Sequence, residues 1–144
     1  MQNELPPFIV GLGQKASEYR SISKYFNIVE PDWNNGSLKK LKLGKQDIVA
    51  GFSLGCLIAA MYAEKFHVKH LILCSPAPDE TLKNIKADRV TFLAGEKEEW
   101  YLKEIERMKN TLKPESKCEV HVIPNTGHKV NGAYKKVLLE VLRG

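Results

Sequence analysis

The stretch that decides the fold is Asp47-Ile-Val-Ala-Gly51-Phe52-Ser53-Leu54-Gly55-Cys-Leu-Ile-Ala-Ala-Met-Tyr62-Ala63. Its first six residues read as an apolar strand, and Leu54 to Phe66, rich in Ala, Leu, Ile and Met, reads as a helix. Between them Gly51 to Gly55 spells G-x-S-x-G. A nucleophile on so sharp a strand-to-helix bend takes a strained backbone, and the residues two before and two after it must be small. The bend lifts the Ser53 hydroxyl clear of the sheet at the start of the helix. There the Leu54 amide and the helix dipole can face a developing oxyanion. A tight packing turn would use the same spelling, but the buried strand before it and the Ala-rich helix after it favour a nucleophile. The uncharged run from Ile48 to Ala63 is sixteen residues long and contains two glycines, whereas a membrane span needs roughly 20 apolar residues.

The same alternation continues on both sides. Strands are expected over 8–12 and 26–30 before this unit, and over 70–75, 89–94 and 118–123 after it. Helices are expected over 15–25, 97–112 and 131–143, the second stopped by Pro114. Near-continuous Val/Ile/Leu strands separated by helices imply an α/β three-layer sandwich: a mostly parallel six-stranded sheet with helices on both faces. The 144 residues contain no linker or repeat, so residues 1–144 are expected to form a single domain.

In such a sheet ligands bind beyond the carboxyl ends of the strands. That places Gly11 to Gly13, Asp32-Trp33, Ser53, the 75–79 loop, Glu96 to Trp100 and Asn125 to His128 at the functional edge. Asp47, His67, His70 and Asp88 precede strands and fall at the other end. A serine nucleophile needs a base, and the base needs an orienting acid. His128, directly after the last strand, is the candidate base, while His121 inside that strand reads as a face residue. Glu98 is the first choice for the acid, with Glu96, Glu99 and Asp79 as alternatives. Acidic residues at a helix start also serve the helix dipole, which leaves that choice open. Trp33, Trp100 and Pro76-Ala77-Pro78 follow strands and are candidate walls for an acyl group.

The net charge of +5 comes mainly from scattered lysines, and the densest run (Lys39, Lys40, Lys42, Lys45) lacks arginine and interleaved aromatics. It reads as a solvated face, so no nucleic-acid partner is expected. Cys56, Cys74 and Cys118 have no metal-ligand spacing and read as buried thiols in a reducing compartment. With no basic leader before an apolar segment, a cytoplasmic, soluble protein with no membrane association is expected.

A second motif competes. Gly11-Leu-Gly13-Gln-Lys-Ala16 fits G-x-G-x-x-[GA] after a strand, and Glu30 lies nineteen residues beyond Gly11. That is the dinucleotide-binding pattern with its ribose-binding acid. The helix after Ala16 would be short and polar, however, and a nucleotide module leaves Ser53 and His128 unexplained. A non-catalytic interaction protein on the same scaffold is the remaining alternative.

Taken together, Gly51-Phe-Ser-Leu-Gly55, the chain order Ser53, Glu98, His128, the Gly95-to-Glu98 spacing and Asn125-Thr-Gly-His128 resemble the α/β-hydrolase superfamily over almost the whole chain. The resemblance implies a small serine hydrolase of the carboxylesterase or thioesterase kind, with Ser53 as nucleophile, His128 as base and Glu98 as acid. It further implies that Gly11-Leu12-Gly13 is the oxyanion loop, with Leu12 and Leu54 as amide donors. The substrate would be a small acyl compound, and neither metal nor cofactor is implied. The chain departs from the family at three points. The acid is Glu where Asp is commoner, Val10 replaces the usual oxyanion-loop histidine, and the first two strands of the eight-stranded sheet have no counterpart. Only residues 79–88 separate the Pro76-Ala77-Pro78 turn from the fifth strand, too few for a lid domain, so an open, shallow site is expected.

Overall fold

The computed structural model describes residues 5–33, 43–79 and 81–144. Six strands run β1 (Pro7–Ile9), β2 (Asn27–Val29), β3 (Ile48–Phe52), β4 (Val68–Cys74), β5 (Ala87–Gly95) and β6 (Lys117–Ile123). They form one sheet in the order β2-β1-β3-β4-β5-β6, and every pairing is parallel. Among the described residues three α-helices connect or follow them: α1 (Gly55–Lys65), α2 (Glu99–Lys109) and α3 (Gly132–Arg143).

Alternation along the strands builds two cores. Val49, Leu71, Leu73, Val90 and Phe92 face one way, towards Ile58, Ala59 and Ala63 of α1 and Ile105 and Met108 of α2. Phe8, Ala50, Phe52, Ile72, Cys74 and Leu93 face the other way, towards Tyr134, Leu138 and Val141 of α3. Because each central strand is covered on both sides, its apolar run is nearly unbroken, as a parallel sheet requires. This is the three-layer architecture expected from the sequence.

The order reverses at β1: the chain steps outward to β2, then returns past β1 to β3 and onward. The crevice at such a reversal opens at the carboxyl ends of β1 and β3, which carry the Gly11–Gly13 loop and Ser53.

Two local expectations need correction. Residues 15–25 do not make an α-helix; Ala16–Ile22 is a 3-10 segment broken at Tyr19, with Tyr19 and Ile22 buried. Its polar residues Ser17, Glu18 and Ser21 leave too narrow an apolar face for a longer helix. Cys56 and Cys74 are buried free thiols, but Cys118 is exposed, because β6 is an edge strand and one of its faces is thinly covered. Of the basic run, Lys39, Lys40 and Lys42 lie outside the described residues.

Between β4 and β5, Thr81–Asn84 forms a short 3-10 turn, and Leu82 and Ile85 are buried in the α1/α2 core. This connection is a plug packed against the sheet. Among the described residues no helix is long and apolar enough to cross a membrane.

Candidate active site

Ser53 occupies the bend between β3 and α1 with φ 57°, a left-handed backbone that a non-glycine residue adopts only when its surroundings enforce it. The Ser53 amide donates to the Cys74 carbonyl (2.9 Å), while the Ser53 carbonyl accepts from Cys56 (3.1 Å) and Ala77 (3.2 Å). Both flanking glycines are required by close approach. A Cβ on Gly51 would stand 2.8 Å from the Gly55 carbonyl oxygen, and one on Gly55 would be driven into the Ile9 carbonyl. The G-x-S-x-G spelling therefore reflects α1 entering directly over β1 and β3.

His128 reaches this bend from the loop after β6. Its Nε2 lies 3.1 Å from Ser53 Oγ, and its Nδ1 lies 2.5 Å from Glu98 Oε2. Two loops are knitted together to achieve this. The Lys97 amide donates to the Thr126 carbonyl (2.9 Å), the Glu96 amide to Ile123 (2.8 Å), and the Asn125 amide to the Glu96 carboxylate (2.9 Å). Gly95 lies against Thr126 so closely that a Cβ there would collide with the Thr126 carbonyl. Glu96 thus fastens the loops, and Glu98, not Glu96, faces the imidazole. Glu99 opens α2 and is exposed. Asp79 lies beyond the Pro76-Ala77-Pro78 turn and is half-buried.

Glu98 has 3% of its side chain exposed, so the way its charge is compensated decides its state. Burial pushes its carboxyl upward. Hydrogen bonds from His128, the Gly95 amide and Ser75 outweigh that and hold it below the ordinary carboxylate range. The side chain is an acceptor at both oxygens, which is the state an orienting acid needs.

The imidazole is flanked by rings. Tyr101 of α2 stacks on it at 4.5 Å with planes 17° apart, and Phe52 lies 4.8 Å away. Sequence reasoning missed Tyr101, and it also missed Ser75 and Tyr134, whose hydroxyls meet beneath Glu98. The 75–79 loop was placed at the correct edge, but nothing in a helix written Gly-Ala-Tyr134-Lys marks that tyrosine as reaching back to it.

Leu12 is 60% exposed, and a Cβ added to the preceding Gly11 would stand 3.3 Å from Ser53 Cβ. Leu54 follows Ser53 with ordinary helical angles at the start of α1. Of the candidate acyl walls, Pro76-Ala77-Pro78 lies against the Ser53 bend through the Ala77 amide, and Trp100 is exposed with its ring against Tyr101. Trp33 is partly buried against the α1 core instead.

The features that suggested a dinucleotide site are engaged internally. The Gly11 amide donates to Gln14 Oε1 (2.7 Å), and Glu30 accepts from the Ala16 amide (2.7 Å). A broken 3-10 segment follows the loop, so the aligned helix dipole that a pyrophosphate uses is missing there. At the opposite edge of the sheet, a groove of about 980 Å³ is lined by Lys45, Asp47, Tyr62, Phe66, His67 and Lys69 among others. His67 pairs with Asp88 (2.7 Å) at this amino-terminal end of the strands, away from Ser53.

No protein-family model matches the chain, and no curated protein matches it in sequence. Solved structures do resemble it. A predicted CIB-like hydrolase from Thermoplasma acidophilum superposes with a TM-score of 0.71 at 15% identity, over 98% of this chain and 86% of that one. Dienelactone hydrolase from Anabaena variabilis gives 0.69 at 13% identity, over 98% and 85%. An uncharacterized protein from Bacillus cereus gives 0.69 at 16% identity over 99% of this chain, which spans 60% of that longer one. At such identities the likeness is one of fold.

Proposed function

Starting from a chain that has the α/β-hydrolase fold, we propose that it is a serine hydrolase cleaving a carboxylic ester, thioester or small amide through an acyl-enzyme on Ser53. The observation that carries this reading is the line Ser53 Oγ, His128 Nε2, His128 Nδ1, Glu98 Oε2, beginning on a strained serine. A structural ion pair would not require the serine.

In this mechanism Glu98 accepts the Nδ1 proton's hydrogen bond, so Nε2 is left bare as the base. As Ser53 Oγ attacks the carbonyl carbon, its proton passes to Nε2, and Glu98 stabilises the imidazolium without taking the proton. The amides of Leu54 and Leu12 donate to the tetrahedral oxyanion, each worth on the order of 3 kcal/mol when well aimed. Nε2–H then protonates the departing alcohol, thiol or amine as the carbonyl re-forms. Water enters, gives its proton to Nε2, attacks the acyl-enzyme, and releases the acid with Ser53 restored. No step calls for a metal or an organic cofactor.

The plug between β4 and β5 supports an open site suited to small or accessible acyl groups. The free thiols Cys56 and Cys74 support a reducing compartment such as the cytoplasm. The test is turnover of p-nitrophenyl acetate. Wild-type protein hydrolyses it, and Ser53→Ala lowers kcat/KM by at least about 10³-fold while unfolding at the same temperature. Full activity in the alanine variant would sink the mechanism.

A further inference from the structure

Glu98 Oε2 serves His128, so something else must hold Oε1. Oε1 accepts from the Gly95 amide (2.8 Å) and from Ser75 Oγ (2.7 Å). Ser75 Oγ in turn lies 2.9 Å from the Tyr134 hydroxyl, which is also within donating distance of the Leu93 carbonyl (3.1 Å). Ser75 and Tyr134 are both fully buried. Proton counting fixes the direction of this chain. An ionised carboxylate can accept only, so the single Ser75 proton points at Glu98, and the single Tyr134 proton is shared between two acceptors, the Leu93 carbonyl and Ser75 Oγ. Burial pushes the Tyr134 hydroxyl far up, so it stays protonated and able to donate.

The backbone under Ser75 gives a second reason to single it out. Its φ is +44°, left-handed and non-glycine, at the end of β4, the position that matches Ser53 at the end of neighbouring β3. Glycine would take that conformation freely, yet a hydroxyl stands there.

We propose that Ser75, supported by Tyr134, is a positioning residue: it locks Glu98 Oε1 so that Oε2 is presented to His128 in one orientation. The pair acts on His128 through the carboxylate. A carboxylate held at one oxygen cannot rotate about its terminal torsion, a broad and soft one when unrestrained. The His128 ring is then held as the Nδ1–H tautomer with a bare Nε2. The kinetic part of this inference rests on the serine hydrolase reading; the geometric part does not.

The experiment compares Ser75→Gly, Ser75→Ala and Tyr134→Phe with wild type. One readout is kcat and KM for p-nitrophenyl acetate, and the other is the tautomer of His128, read by NMR of protein labelled at histidine nitrogen. Both Ser75 variants should lose kcat by about 10- to 100-fold with KM changed less than about twofold, as is typical when an orienting partner is removed. Tyr134→Phe should lose less, about 2- to 5-fold, because Ser75 keeps its proton on Glu98. In the Ser75 variants an Nε2–H population should appear that wild type lacks. Ser75→Gly relieves the backbone and keeps folding from confounding the result. If it retains wild-type kcat and the wild-type tautomer while Ser75→Ala fails, the hydroxyl has no positioning role and the proposal is overturned. If wild-type protein hydrolyses no ester, the hydrolase reading falls, and the tautomer alone decides: unchanged in Ser75→Gly, it overturns the proposal; shifted, it supports it.

Discussion

The Tyr101 ring lies face to face with the His128 imidazole, 4.5 Å centroid to centroid and 17° from parallel. The imidazole side chain is 35% exposed, so this stack shields a ring that solvent still reaches. An aromatic face stabilises a cation by about 0.5–2 kcal/mol, and the proposed mechanism makes His128 cationic in its transition states. Tyr101→Leu should therefore lower kcat by roughly 2- to 30-fold, whereas Tyr101→Phe stays near wild type. Steady-state ester hydrolysis checks this; an unaltered rate in the leucine variant would remove Tyr101 from the account.

Glu98→Gln keeps the shape and removes the charge that opposes the imidazolium. The expected loss in kcat is about 10³- to 10⁴-fold, the scale for an orienting acid replaced by its amide. The same variant should change acid stability. Glu98 is held below its ordinary value, so its contribution is present at neutral pH and is lost as pH falls through the usual carboxylate range towards the lowered one. Chemical denaturation across that range should be flatter for Glu98→Gln than for wild type.

Gly55→Ala tests the bend without touching a functional group. The added methyl is driven into the Ile9 carbonyl, and backbone on both sides is held by strand pairing. Overpacking of this kind is expected to destabilise by about 3 kcal/mol. Urea unfolding measures it, and a variant as stable as wild type would contradict the close crossing of α1 over β1.

His70 governs a separate pH response. It is buried at the amino end of β4, hydrogen-bonded to Thr91 (2.7 Å). Burial, then the Arg89 charge, lowers its pKa to about 4 from the ordinary 6.5. The depressed value means the folded state binds fewer protons than the unfolded one between those limits. Stability is therefore full above about pH 6.5 and falls towards pH 4, with a loss on the order of 3 kcal/mol. Thermal unfolding of His70→Gln should lack most of that slope.

Much of this site could be read from the chain because its demands are steric and local. Gly51-Phe-Ser53-Leu-Gly55 marks the strand-to-helix bend since no larger residues fit where α1 meets Ile9, and the parallel sheet follows from strands apolar on both faces. Strand ends were harder. β1 stops at Ile9 rather than Leu12 because the Gly11 amide turns to the Gln14 side chain. The exposure of Cys118 depends on β6 being an edge, which no local pattern states. Choosing Glu98 over Glu96 needed the loop pairing with Thr126. Tyr101, Ser75 and Tyr134 escaped notice because their partners are distant in sequence, Tyr134 from Ser75 by fifty-nine residues.

The central claim is that Ser53 is a nucleophile activated by His128. Intact-protein mass spectrometry after treatment with a fluorophosphonate tests it directly, followed by peptide mapping of the adduct. The account predicts one phosphonyl group per chain, on Ser53, with loss of labelling in Ser53→Ala and slowing by at least about 10²-fold in His128→Ala. An unlabelled wild-type protein, or an adduct on any other residue, would contradict it.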